Sequence, residues 1–309
     1  MAILFSVIAP VFCVLGFGYL AVWKRWISEP AIDALMGFTQ KFAIPCLLFQ
    51  AIATLDLSAN FDPALLFSFY SGAISGFLIG LLAARFIFKR AWDHCVAIGF
   101  VGLFSNSVLL GLPIMERAFG PDALAGNFAI IAMHSPFCYL IGITAMELVR
   151  ADSRSIADLG PKVAKAMFRN PLVIGLSLGL IVNLSGFALP GFATDAVALM
   201  ARAALPAALF GLGGILVSYR PEGDMRLILF MCVVSLLIHP SITWMTGTAL
   251  HIDDAAFRSA IITAAMAPGV NAYIFANMYG VAKRVAASTV LIGTAATFFT
   301  AMGWLAALG

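Results

Sequence analysis

Apolar residues run along this chain in blocks of about 20, the length a helix rising 1.5 Å per residue needs to cross a hydrocarbon layer roughly 30 Å thick. Ten blocks can be drawn, at approximately 2–22, 31–54, 63–84, 93–119, 126–149, 171–189, 192–218, 226–249, 255–279 and 285–308. The segments between them hold most of the Asp, Lys and Arg residues. The pattern predicts an all-α membrane protein with ten transmembrane helices in the lipid bilayer. Met1 to Ser6 carries no Lys or Arg and the first block exceeds 20 residues, so it reads as a permanent span and not as a signal peptide.

Cations set the expected orientation, because Lys and Arg are retained on the cytoplasmic side. The connections after spans 1, 3, 5, 7 and 9 hold 14 of them, whereas the opposite side holds only Arg117 and Arg258. Both termini are therefore expected outside the cytoplasm. The two remaining cations, Lys41 and Arg202, fall inside spans.

Composition narrows the function classes. Of 309 residues 62% are apolar and 11% charged, too few charges to keep a chain of this size dissolved. The net charge of +3 comes from scattered clusters, so no nucleic acid partner is expected. Cys13, Cys46, Cys95, Cys138 and Cys232 are far apart and form no ligand pattern, which makes them packing residues before metal or redox sites. There is no phosphate loop, HExxH or GxSxG, so neither an ATP-driven pump nor an enzyme is indicated, and no cofactor. Gly16-Phe17-Gly18-Tyr19-Leu20-Ala21 spells a dinucleotide fingerprint inside a span, with no strand before it, and is discarded.

Sliding the chain against itself by 161 residues places Pro10 on Pro171, Gly18 on Gly179, Lys41 on Arg202 and Pro45 on Pro206. At 160, Phe119-Gly120 falls on Tyr279-Gly280. Apolar strings align easily, so chance is the bland reading. The sharper one is two inverted repeats of five helices each, residues 1–150 and 171–309, joined by a cytoplasmic linker at 151–170. Inverted repeats of this kind are typical of secondary transporters, with the substrate site near mid-membrane between the copies.

Both copies carry a helix-breaking segment at the same depth. Span 4 reads Ser105-Asn106-Ser107 before Gly111-Leu112-Pro113, and span 9 reads Ala267-Pro268-Gly269-Val270-Asn271. Proline removes a helix hydrogen bond and glycine loosens the next turn. Backbone opened in lipid is tolerated only where protein covers it or it lines a wet cavity. Simple proline kinks would explain the prolines. The added Asn and Ser side chains favour a binding site lined by Ser105, Asn106, Ser107, Pro268, Gly269 and Asn271. The second half of each broken helix begins at the midplane with its positive end exposed, which with two amide side chains suits a small carboxylate anion.

Lys41 and Arg202 each precede a matched proline by four residues near the centre of a span, where a lone cation costs roughly 2.5–3.5 kcal/mol on insertion scales. Either they draw in an anionic substrate or they pair with carbonyls freed by Pro45 and Pro206. His134 and His239 also lie in spans. Each is a packing residue or a proton carrier, with His134 the better candidate because it lies near the depth of the breaks. Gly72, Gly76 and Gly80, and Gly175 with Gly179, form small-residue faces suited equally to packing within the chain and to a homodimer.

The five-plus-five arrangement, Ile44-Pro45 with Leu205-Pro206, Phe104-Ser105-Asn106-Ser107 with Gly111-Leu112-Pro113, Arg169-Asn170-Pro171-Leu172, and Ala267-Pro268-Gly269-Val270-Asn271 before Tyr279-Gly280 together resemble the auxin efflux carrier family of membrane transporters. The likeness covers essentially the whole chain, and the short segment between the halves resembles a compact bacterial member. The resemblance implies spans 4 and 9 crossing as broken helices, a scaffold bundle and a movable bundle, and elevator-type transport of carboxylates such as malonate, malate or auxin. It also implies that Asn106 matches the asparagine that helps bind the substrate carboxylate, and a location in the bacterial inner membrane. The related bile-acid transporters bind sodium through acidic residues near the crossing, and none lies near Ser105 to Gly111 or Ala265 to Asn271 here. The expectation is a secondary carrier of small organic anions, with a sodium-coupled bile-acid-type symporter, an anion-binding membrane sensor and a passive channel as rivals.

Overall fold

A computed structural model describes residues 2–55, 62–150 and 171–309; the expected linker at 151–170 lies outside the described residues. Apart from one isolated bridge, every regular element among the described residues is helical. In chain order these are α1 (Ala2–Trp23), α2 (Glu29–Phe38), α3 (Ile44–Thr54), α4 (Pro63–Phe86), α5 (Trp92–Leu103), α6 (Leu112–Phe119), α7 (Ala125–Arg150), α8 (Pro171–Ser185), α9 (Gly191–Leu216), α10 (Met225–Val233), α11 (His239–Ala249), α12 (Asp254–Ala264), α13 (Val270–Tyr279) and α14 (Lys283–Leu308). Among the described residues seven stretches are long and apolar enough to cross a membrane: Leu4–Trp23, Glu29–Thr54, Pro63–Phe86, Ala125–Arg150, Gly191–Leu216, Met225–Ala249 and Lys283–Leu308. Trp92–Leu103 and Pro171–Ser185 are apolar but shorter.

Three of the joints are π-helical turns, Thr39–Ala43, Ser107–Gly111 and Val234–Ile238. Each stands two residues before a proline: Pro45, Pro113 and Pro240. A proline ring collides with the carbonyl four residues earlier. Widening the preceding turn by one residue moves that carbonyl aside and lets the chain continue as helix.

The chain divides into two compact units, with unit 1 comprising Met1–Ala9, Asp62–Gly160 and Tyr219–Gly309, and unit 2 comprising Pro10–Phe61 and Pro161–Ser218. In unit 1, Gly76 of α4 and Gly102 of α5 face each other so closely that a Cβ on either would strike the other's carbonyl oxygen. Gly72 accommodates His239 and Thr243 of α11, and Gly80 accommodates Met231 of α10. Phe69, Phe100 and Phe275 are wholly buried there, the last two stacked with ring centroids 4.0 Å apart. In unit 2, Gly175 and Gly179 of α8 lie on the backbone of α3 at Pro45 and Phe49. The side-chain amide of Asn183 donates to the carbonyls of Ile52 at 2.9 Å and Leu55 at 2.7 Å, closing the end of α3. Both glycine faces are therefore engaged inside the chain.

Candidate functional site: paired helix breaks in unit 1

Helix α5 ends at Leu103, Phe104 is extended (φ −99°, ψ 92°), and Asn106 caps the helical path that resumes at Ser107. Helix α12 ends at Ala264, and α13 starts after Gly269 (φ −72°, ψ 160°). The two opened segments pair with each other. The Asn106 N–H donates to the Ala267 carbonyl at 2.8 Å, and the Gly269 N–H donates to the Phe104 carbonyl at 2.9 Å, with Ser105 and Pro268 opposite one another as an antiparallel bridge. Ser105 and Pro268 hold the non-hydrogen-bonded position of that short ladder. An N–H there would point away from the partner strand, so proline removes no ladder bond. The pairing gives the opened backbone partners inside the protein.

The surrounding side chains complete the joint. Nε2 of His134, on α7, lies 3.2 Å from the Ser105 carbonyl oxygen. Its Nδ1 lies 3.7 Å from the Cys138 sulfur one turn on, and the Cys138 thiol reaches the Leu103 carbonyl at 3.9 Å. The Phe104 ring packs 4.6 Å from the imidazole.

Two polar atoms here are buried without a partner. The Asn106 side-chain oxygen accepts from the Leu109 N–H at 3.2 Å, an N-cap that leaves the amide nitrogen Nδ2 unpaired. Ser105 Oγ is unpaired as well, and both residues are 4% exposed. An unmet buried donor or acceptor costs about 1–3 kcal/mol. Across the bridge, Gly269 brings no side-chain cap to α13; its carbonyl takes the Ala272 N–H at 2.9 Å, which leaves the Val270 and Asn271 N–H groups to an outside acceptor. Asn271, half-buried on its first turn, accepts from the Tyr139 hydroxyl at 3.1 Å through Oδ1. Two helix starts, a free amide and a hydroxyl form a donor-rich, partly positive surface without a formal charge. Among the described residues no three His, Cys, Asp or Glu side chains gather as a metal would require.

Ser105, Asn106, Ser107, Pro268, Gly269, Asn271 and His134 thus all lie in unit 1, on or beside this joint. Lys41, in the first π turn, and Arg202, in α9, belong to unit 2 and are exposed. Tyr139 is absent from the sequence reading, and Cys138 enters it only as a packing residue. In the sequence each is one more apolar-compatible residue in a long apolar run, and only the fold brings the phenol to Asn271 and the thiol to Leu103.

The profile of the family described as "Membrane transport protein" matches residues 3–305. A Rhizobium meliloti (strain 1021) protein named "Putative malonate transporter" is 22% identical over 99% of this chain and 96% of its own. Auxin efflux carrier component 5 of Arabidopsis thaliana is 20% identical over 97% of this chain and 95% of its own. The lysosomal cholesterol signaling protein of Mus musculus is 26% identical over 58% of this chain and 22% of its own. With a match running almost from end to end, the chain belongs to the membrane transport protein family, the family of the auxin efflux carriers, and is a transporter and not an enzyme.

Proposed function

We propose that this chain is a secondary carrier of small organic anions, mono- or dicarboxylates such as malonate, malate or auxin-like acids. The observation that carries the reading is the pair of unpartnered buried polar groups, Asn106 Nδ2 and Ser105 Oγ, at the point where one half-helix starts and faces another. A carboxylate brings two oxygens rich in lone pairs, which an amide NH2, a hydroxyl and the first N–H groups of two helices can bind without burying a fixed cation. The names of the malonate and auxin relatives point the same way.

Alternating access by an elevator-type movement is the mechanism proposed. Its support is that the joint lies wholly in unit 1, so one compact body can carry the site while another serves as scaffold. The ten spans are read as two inverted five-helix repeats, 1–150 and 171–309, on the strength of the matched breaks and prolines. The bacterial inner membrane is read from the likeness to a compact bacterial member, and both termini outside the cytoplasm from the cation asymmetry. Lys41 and Arg202, the two cations within spans, are taken to draw in the anionic substrate, and His134 holds the Ser105 carbonyl in register. A homodimer finds no support in the glycine faces, which are occupied within the chain.

The test is counterflow in liposomes with malonate, malate and an auxin-like acid, using wild type and Asn106→Ala. Saturable exchange lost in the variant is expected; wild-type liposomes that exchange none of these acids would remove the reading. An anion-binding membrane sensor is the second reading, and the name of the cholesterol signaling relative favours it only as far as a signaling role. Stoichiometric binding without counterflow selects the sensor, and a strict sodium requirement selects a bile-acid-type symporter.

A further inference from the structure

Away from the helix breaks, five further buried polar atoms of unit 1 lack partners, Arg90 Nε, Asn127 Oδ1, Ser235 Oγ, His239 Nε2 and Thr294 Oγ1, and two of them lie one turn apart. His239 is 1% exposed with Nε2 unpaired, and Ser235, one turn earlier, is 3% exposed with Oγ unpaired. Ser235 lies within the π turn Val234–Ile238 and His239 directly follows it, a local widening that recurs at functional sites. The niche is built for the imidazole. At Gly72 of α4 a Cβ would come within 2.7 Å of His239 Cδ2, so only glycine leaves room for the ring. The Thr243 hydroxyl donates to the His239 carbonyl at 3.1 Å, which fixes the start of α11.

From this niche a line of buried rings leads to the joint. The Phe69 ring centroid lies 5.3 Å from that of His239 and 5.5 Å from that of His134, and His134 Nε2 touches the Ser105 carbonyl at 3.2 Å. His134 has a neighbour at each ring nitrogen. His239 does not, and Nε2 is the nitrogen with capacity to spare.

We propose that His239, with Ser235 beside it, is a buried proton-binding site that couples carboxylate transport to proton movement. This rests on the carrier reading above. A proton on Nε2 turns the unpaired atom into a donor, with the Ser235 hydroxyl oxygen as the acceptor one turn away. The imidazolium would lie against the Phe69 ring, a contact that favours a cation. The titratable groups along this line are His134 of α7, with Cys138 beside it, and Tyr70 of α4, which packs on Phe69 and whose hydroxyl donates to the Ile130 carbonyl at 3.0 Å. The buried polar side chains among the described residues include no Asp, Glu, Lys or Arg. An imidazolium in this setting therefore has no resident counter-charge, and the anion at the joint supplies it. Proton and carboxylate each lower the cost of burying the other, which is positive coupling between two sites and makes the pair a symport.

Malonate uptake into liposomes is measured with and without an inward proton gradient. The wild type is expected to show several-fold stimulation, and His239→Gln a ratio near one. An unstimulated wild type, or a ratio unchanged in His239→Gln, overturns the assignment. Should His239→Gln not transport at all, proton uptake on adding malonate to purified wild-type protein in weakly buffered detergent decides. About one proton per malonate bound is expected, with a lower pH midpoint in Ser235→Ala because the protonated form loses its acceptor. Malonate binding without proton uptake, or a midpoint unmoved in Ser235→Ala, overturns it. Wild-type liposomes that exchange no carboxylate sink the carrier reading itself, a result distinct from carboxylate exchange that ignores the proton gradient.

Discussion

Asn106 holds the Leu109 N–H with its side-chain oxygen at 3.2 Å while its amide nitrogen meets nothing. One side chain thus caps a helix and offers a donor. The two roles separate by substitution. Asn106→Asp keeps the cap, which carboxylates perform as well as amides, but removes the donor and sets a negative charge against the anion. Thermal stability in detergent is expected to stay within about 1 kcal/mol, while carboxylate transport falls about 10-fold to 100-fold or more, the equivalent of one lost hydrogen bond to a charged group. Asn106→Ala loses both, with roughly 1 kcal/mol of stability from the missing cap. Full transport by the Asp variant would show that the free nitrogen is not a substrate contact.

Tyr139 reaches Asn271 from α7 at 3.1 Å and sets the orientation of that amide on the first turn of α13. Tyr139→Phe keeps the ring and its packing against Phe100 and deletes only the hydroxyl. The expected result is a rise in KM of about 3-fold to 10-fold, matching the net worth of one neutral hydrogen bond, with little change in melting temperature. Substrate titration of the purified variant measures it, and an unchanged KM would take Asn271 out of substrate contact.

The helix positions were legible because hydropathy integrates over about 20 residues, a length at which local accidents average out. The two breaks were legible because proline and glycine act through their own backbone chemistry. What the sequence did not disclose is long-range. Nothing local says that Asn106 meets Ala267, or that Pro268 falls in the one ladder register that spares its missing N–H. The π turns were invisible for a related reason. A proline announces that the carbonyl four residues back must move, but not whether the helix kinks, as at a plain proline, or widens, as before Pro45, Pro113 and Pro240. His134 was visible as a polar residue at the depth of the breaks, yet its bond to Ser105 depends on how α7 packs beside α5.

Gly76 and Gly102 bring α4 and α5 into backbone contact, and α5 leads directly into the first break. A methyl group at Gly76 would strike the Gly102 carbonyl and push the helices apart. Gly76→Ala is expected to destabilise the protein by about 1–3 kcal/mol, the usual cost of overpacking, and to weaken transport by shifting Phe104. Gly37→Ala is the control, because a Cβ there meets nothing within 4 Å and alanine favours a helix over glycine by about 1 kcal/mol. Thermal unfolding of the two purified variants reads the contrast; equal melting temperatures would mean that the close approach at Gly76 relaxes freely.

Trp304, near the end of α14, donates from its indole nitrogen to the Leu236 carbonyl at 2.9 Å. That oxygen lies four residues before Pro240, which has no N–H to offer it. The indole therefore fills the gap that the proline leaves in the ladder, and in doing so it fixes the π turn Val234–Ile238 that carries Ser235 and leads into His239. Arg117 does the same elsewhere, donating to the Ser6 carbonyl at 3.1 Å and the Val7 carbonyl at 2.9 Å, Ser6 being four residues before Pro10. Trp304→Phe keeps most of the apolar contact and strands the Leu236 oxygen in a lipid-embedded region where water is scarce. A loss of about 1–3 kcal/mol is expected in thermal unfolding. A loosened turn should also shift His239 within its niche, so the proton-gradient stimulation of uptake should fall in Trp304→Phe by a larger factor than uptake without a gradient. If both fall by the same factor, the indole contributes stability alone and the turn is held by other contacts.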